Sequence, residues 1–496
     1  MKLNIFKIGI IGLCMCALTS CNKEYLETSP TNQVGTGDAF TNVTNAWAAL
    51  NGIHRIMYSQ VFGTQSQGGQ SGNILIMDIM GEDLVFPNLN NNWLRQEYQW
   101  IYHRNTSSRT TRHSYLFYYI IIGNANMIIA NIDDAEGPEA EKNYIKGQAL
   151  AYRAWSYFQM VQLFGQRYVQ GGDNSSMGVS LVLEPDTEPL PRNTVEEVYT
   201  QIEKDLQEAV TLLEGYDRGG DKSQIDIHVA KGYQARVALT KQDYANAATY
   251  AREAREGFEL MSNDDYMGGF NNYDNVEWMW SSRMTADQSN NFYSFFAHMS
   301  LNFTASVIRN TPKLMNSKLY AEISDTDIRK NLWDPTGEDV ENFPLPNSTF
   351  RRYPYLSKKF VVANPALSIG DIPYMRAAEM YLIEAEALAS QGQSSEAADV
   401  LYELAVNRDP AYTKSTHTGQ ELIDEILIQR RVELWGEGFR FYDLKRLNQP
   451  LDRTGANHNA TYAIKMTEPA GTKEWQFLIP ENEINNSNGV VVQNPQ

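Results

Sequence analysis

Apolar residues recur at steps of three and four along residues 372–392: Met375, Ala378, Leu382, Ala385 and Ala389, with Tyr381 and Leu388 widening the stripe. This is the period of an amphipathic helix, and it predicts one helix over the whole stretch. Pro373 suits a first turn, where a missing backbone N–H is harmless, and Gly392 suits the left-handed turn that closes a helix. Arg376, Glu379, Glu384 and Glu386 fall outside the stripe and are expected mostly in solvent. A second stripe, Ala397, Val400, Leu401, Leu404 and Ala405, follows at once, with Ser394 or Ser395 placed to cap it and Pro410 to stop it. The two predict a helical hairpin.

The pattern recurs upstream in residues 230–256. Ala235 falls where Ala385 does, Ala247 and Ala248 where Ala397 and Ala398 do, and Tyr250 and Ala251 where Val400 and Leu401 do. Leu239, Tyr244, Ala247 and Ala254 sit near the small and aromatic positions of a tetratricopeptide repeat, whose alanines let two helices approach closely. The copies stand much further apart than one repeat, so a simple tandem array is not expected. Further helical periods cover 38–58, with His54 as a face residue, 113–132 and 143–164, where Arg153 is expected as a structural residue. Thr194, with Glu197 three residues on, forms a capping box ahead of another helix.

Two stretches break the helical regime. Residues 77–112 carry Trp93, Tyr98, Trp100 and Tyr102 on a polar background. Sugar rings present C–H faces that pack on aromatic planes, while amides and guanidinium groups bond hydroxyls, so Trp93 with Asn90, Asn92 and Arg95 points to a ligand. Trp100 alternates with Tyr98 and Tyr102 into an apolar run and is expected inside. Residues 261–369 are rich in Asn, Gly and aromatic residues; Trp280 is expected to pack inward with Met279, whereas Trp278, Tyr293 and Trp333 are the expected exposed rings.

A formal net charge of −18 argues against nucleic acid and anionic lipid as partners. The three cysteines, Cys14, Cys16 and Cys21, all lie at the N-terminal end, so the rest of the chain offers no disulfide, thiolate nucleophile or cysteine metal ligand. The 7 His show no zinc-enzyme spacing, and neither a metal nor a cofactor is expected. Arg430, Glu433, Glu437, Arg440, Asp443 and Arg446 alternate in sign at helical spacing, which is better explained as an ion-pair lattice than as a catalytic set. Residues 1–20 read as a secretion signal, in which Leu18, Thr19 and Ser20 ahead of Cys21 resemble a lipoprotein cleavage site with Cys21 as the lipidated residue. Residues 21–36 then form a polar tether.

CNKEYLETSP after the cleavage site, ALAYRAWSYFQMVQLFG, PLPRNTVEEVYTQIEKDL, AKGYQARVALTKQDYANAATYA, IPYMRAAEMYLIEAEAL, RVELWGEGFRFYDLKRL and IPENEINNSNGVVVQNP follow one another across nearly the whole chain. As a set they resemble the SusD/RagB family of nutrient-binding outer-membrane lipoproteins. The resemblance implies a mostly α, SusD-like domain over 37–496 with tetratricopeptide-type hairpins at about 143–256 and 372–447. It implies a ligand face from about 77–112 and 261–369, on which Asn92, Trp93, Arg95, Trp278, Tyr293 and Trp333 are the expected contacts. It further implies an outward-facing anchor at the outer membrane, capture of an oligosaccharide, and its delivery to a SusC-like TonB-dependent transporter, without catalysis. An oligopeptide ligand is the alternative within the family; a glycoside hydrolase or a repeat scaffold lies outside it.

Overall fold

The computed structural model describes residues 39–64, 67–185, 188–288 and 292–496; the expected signal segment, Cys21 and the tether lie outside the described residues. The first helix, α1 (Val43–Ile56), begins where the Asn42 side chain accepts the Asn45 N–H. It is followed by α2 (Gly69–Ile79), β1 (Leu84–Val85), the short α3 (Arg95–Tyr98), α4 (Arg109–Asn131), α5 (Glu139–Phe164), α6 (Val195–Leu212), α7 (Ile227–Thr240) and α8 (Tyr244–Ala254). The capping box at Thr194 and Glu197 opens α6 as expected. An insertion then carries β2 (Trp278–Ser282), β3 (Leu314–Met315), β4 (Trp333–Asp334) and β5 (Leu356–Ser357), and ends at β6 (Ile372–Arg376). The chain returns to helices with α9 (Ala377–Ser390), α10 (Ser394–Arg408), α11 (Gly419–Glu433) and α12 (Arg440–Arg446).

The helices pack serially, α4 on α5, α5 on α6, α6 on α7 and α7 on α8; across the whole insertion, α8 packs on α9, and α9 on α10 and α11. The two hairpins that are distant in sequence are therefore adjacent in space. Their alanine seams explain the close approach: Ala235, Ala247, Ala251, Ala254, Ala378, Ala385 and Ala397 are all fully buried. β2 and β6 pair antiparallel and close the neck of the insertion, with Trp278 opposite Arg376 and Ser282 opposite Ile372.

This neck corrects the helix expected over 372–392. Its first five residues form β6, and Pro373 lies opposite Ser281 in a two-stranded ribbon, a place that tolerates proline. Gly392 does close the helix, at φ +77. Neither Ser394 nor Ser395 caps α10, whose N-cap is Gln393 without a side-chain bond.

The expectation of solvent around Arg376, Glu379, Glu384 and Glu386 is also corrected, because each is only 1% exposed. Other elements pack around α9, and each of its buried carboxylates is paired: Glu379 with Arg236 at 2.6 Å, Glu384 with Arg252 and Arg255 at 2.8 Å, and Glu386 with Arg446 at 2.5 Å. At the centre, Glu433 meets Arg329, Arg376 and Arg408, Glu277 meets Arg376 and Arg408, Glu437 meets Arg376 and Lys359, and Asp327 meets Arg329. Four cations balance four carboxylates, the condition under which charge survives burial. Arg153, as expected, is held by Asp205 through two 2.8 Å bonds.

Candidate functional site

Asparagines tie the N-terminal aromatic loop to the insertion. Asn88 Nδ2 donates to the Asn310 carbonyl at 2.6 Å and to the Tyr353 hydroxyl at 2.9 Å, and Thr311 Oγ1 donates to Asn88 Oδ1 at 3.1 Å. Asn91 Nδ2 donates to the Ser306 carbonyl at 2.8 Å. A small antiparallel sheet, ordered β1-β3-β5-β4, adds backbone pairing between the same two segments, with Leu84 opposite Met315. Residues 77–112 and 261–369 are thus joined side by side.

Trp93 projects from this junction. Asn92 and Leu94, either side of it, adopt left-handed backbone at φ +58 and +60. Asparagine accepts that conformation readily, but for leucine it costs on the order of 1–2 kcal/mol, so the surrounding bonds must hold it in place. The half-buried indole has the Arg109 guanidinium 5.7 Å from its ring, and Arg109 is also 5.5 Å from the Tyr102 ring. Beside it, Arg95 Nη1 donates to Asn92 Oδ1 at 3.3 Å.

The loop between α1 and α2 forms the second wall. Gln67 Nε2 donates to the Arg109 carbonyl at 2.9 Å, and the next residue, Gly68, lies directly beneath the backbone of Tyr293: any Cβ at that position would run into the Tyr293 carbonyl. In the same loop, Phe62 stands edge-on to His113 at 5.9 Å, with the Arg112 guanidinium 5.3 Å from its ring. Phe62 and Tyr293 are half-buried and Phe292 is 52% exposed. Partly exposed rings beside amides and guanidinium groups suit a polyhydroxylated ligand, since a ring can cover an apolar sugar face and a polar group can bond a hydroxyl.

The structure therefore brings together Asn92, Trp93 and Arg95, and links them through Arg109, Gln67 and Gly68 to Tyr293. It does not bring Trp278 or Trp333 to this surface. Both are 1% exposed. Trp278 is enclosed where β2 crosses β6, and Trp333 packs edge-on against Trp435 at 5.8 Å, so both rings join the insertion to the main hydrophobic core. Trp100 and Trp280 are interior as expected, their Nε1 atoms donating to the Met80 and Ser223 carbonyls. Sequence reasoning missed Phe62, Arg109 and Arg112, and did not single out Tyr102. The available signal was an arginine pair at the start of a long apolar period with no acidic residue in its first turn.

A separate groove of about 550 Å³ is lined by Glu322, Asp327, Glu421, Asp424 and Glu425 with Tyr412. A glycosidase requires one carboxyl to act as an acid. The carboxyls that burial pushes upward among the described residues, Asp78 to about 8, Glu97, Asp371 and Glu483, lie outside this groove.

A serial helical scaffold with tetratricopeptide-type hairpins and a long insertion folded onto the N-terminal segment defines a mostly α repeat protein. The sequence model described as SusD family matches residues 237–496, and the one described as starch-binding associating with outer membrane matches residues 24–239. This chain belongs to the SusD family. It is 27% identical over 379 residues to SusD-like protein P2 of Formosa agariphila, covering 68% of this chain and 72% of the relative. The fold matches that of a SusD-like carbohydrate binding protein from Bacteroides vulgatus with a TM-score of 0.79 at 27% identity, over 91% of this chain and 97% of that one. A laminarin binding SusD-like protein shares the fold with a TM-score of 0.71 at 20% identity, over 92% of this chain and all of that one.

Proposed function

We propose that this protein is a lipid-anchored, outward-facing glycan-binding protein of the outer membrane that captures an oligosaccharide and delivers it to a SusC-like TonB-dependent transporter. Membership of a family whose matched models and structural relatives are described as starch-binding or carbohydrate-binding supports the glycan; Cys21 after Leu18-Thr19-Ser20 supports the anchor. One observation supports the reading: half-buried Trp93 packs with Arg109, whose carbonyl accepts from Gln67, and the adjoining Gly68 meets the backbone of half-buried Tyr293, so a chain of contacts links segments 200 residues apart. The contacts proposed are Asn92, Trp93, Arg95 and Tyr293, joined by Tyr102 and Phe62.

Binding on such a surface needs no covalent step. Rigid aromatic faces give contact at little conformational cost, and modest affinity favours release to a downstream partner. Intrinsic tryptophan fluorescence of the full chain, titrated with glycan and peptide panels, tests this. A saturable response to saccharides and none to peptides is expected; a response to peptides alone overturns the glycan reading.

A further inference from the structure

The aromatic surface carries more positive charge than the rest of the chain would suggest. Arg109 and Arg112 are three residues apart at the start of α4 and so share one face of that helix, and Arg95 lies beside Asn92 and Trp93. Among the described residues, none of the three makes an ion pair with a carboxylate. Their contacts are instead the Asn92 amide and the rings of Trp93, Tyr102 and Phe62. The buried Nε atoms of Arg95 and Arg109 have no hydrogen-bond partner. In a chain of net charge −18, where Arg153, Arg376 and Arg446 are locked in buried ion pairs, Arg95, Arg109 and Arg112 gather around the same aromatic residues with no carboxylate partner among the described residues.

The neighbouring acid, Glu97, makes no ion pair with them among the described residues. Glu97 is 1% exposed and accepts a hydrogen bond from Thr110 Oγ1, and burial pushes its carboxyl upward against the opposing pull of Arg109. A guanidinium carries its N–H donors in a planar fork that matches a carboxylate or sulfate. The negative charge of the whole molecule acts at long range and is screened beyond about 10 Å at 0.1 M salt, whereas these contacts act at bonding distance.

We infer that the ligand of this surface is an anionic glycan, whose carboxylate or sulfate groups engage Arg109 and Arg112 while its ring faces lie on Trp93 and Tyr293. This rests on the reading of the surface as a glycan site.

The test measures the affinity of the full chain, in detergent at 0.15 M salt, for four probes: hexagalacturonate, a sulfated galactan hexasaccharide, uncharged laminarihexaose and hexaglutamate. The inference expects one of the two anionic saccharides to bind at least tenfold more tightly than laminarihexaose, and the tighter of the two identifies carboxylate or sulfate. Arg109→Gln and Arg112→Gln are each expected to weaken that binding at least tenfold, with Arg112→Lys recovering part of the loss and an Arg283→Gln control unchanged. Unaltered melting temperatures separate lost contact from lost fold. Equal affinity for laminarihexaose overturns the inference and leaves the glycan reading intact. Failure of all three saccharides overturns both, and binding of hexaglutamate alone assigns the surface to an acidic peptide instead.

Discussion

Nη1 of Arg376 lies 3.0 Å from Oε1 of Glu433, and neither side chain is more than 1% exposed. Arg376 comes from the neck of the insertion and Glu433 from the end of α11, so this pair fastens the inserted segment to the helical scaffold. Its environment is a closed set of four cations and four carboxylates. Removing one carboxylate leaves the buried set with one uncompensated positive charge, which costs about 3–5 kcal/mol.

Glu433→Gln is therefore expected to destabilise the protein by about 3–5 kcal/mol, read from denaturant or thermal unfolding. Arg252→Gln breaks a pair whose arginine is 61% exposed, and a loss below about 1 kcal/mol is expected there. Equal shifts for the two variants would contradict the view that the lattice bears on stability through burial.

Stability is expected to depend on pH through Asp78, whose Oδ2 accepts the Gly438 N–H at 2.7 Å. Burial pushes this carboxyl up to about 8. A raised folded value means that the native state holds a proton the unfolded chain has released, so the contribution is full below about pH 4 and is lost as pH rises towards 8. Asp78→Asn keeps a hydrogen-bond acceptor and removes the titration. Its melting temperature is expected to match the parent near pH 5 and to exceed it by roughly 2–5 °C near pH 9. Parallel curves would show that Asp78 is ionised in the folded state.

Acid has the opposite lever. Burial alone would push the Asp443 carboxyl up, but Arg430 and Arg446 overcome it and hold it at about 2; Glu437, beside Arg376 and Lys359, is likewise held low. Such depressed groups contribute stability above their ordinary range, lost as pH falls through the folded values. Unfolding monitored by circular dichroism is expected to set in below about pH 4, and Asp443→Asn is expected to flatten the profile between pH 4 and 2.

Gly68→Ala tests the link between the two walls of the surface. Its methyl group would occupy the space of the Tyr293 carbonyl, so the Tyr293 segment must shift. A loss of saccharide affinity of about tenfold, or ~1.4 kcal/mol, is expected, with a smaller effect from Gly63→Ala, where a Cβ meets nothing within 4 Å.

Much of this architecture was legible in the chain. Ala235, Ala247, Ala385 and Ala397 announced hairpins, and the sign alternation from Arg430 to Arg446 announced an ion lattice. Periodicity alone could not reveal that β6 precedes α9, because Ile372, Tyr374 and Met375 satisfy both a strand and a helical stripe. Nor could it place Glu379, Glu384 and Glu386, since a buried helix looks amphipathic whenever its buried charges are paired. Among the rings, Trp93 and Trp333 have equally polar neighbours in sequence; only the folding of the insertion onto Trp435 and α11 decides that one is covered and the other is not. The arginines at 109 and 112 needed the same tertiary information, because their lack of acidic partners is a property of three dimensions.

The most direct measurement is an affinity titration of the full chain with the tightest saccharide of the panel, comparing Trp93→Ala, Tyr293→Ala and Trp333→Phe. The rings of Trp93 and Tyr293 are partly exposed, so each alanine variant is expected to lose about tenfold or more in affinity with its melting temperature kept, whereas Trp333→Phe, in the main core against Trp435, is expected to lower the melting temperature and leave affinity unchanged. Undiminished binding in both Trp93→Ala and Tyr293→Ala would contradict the account.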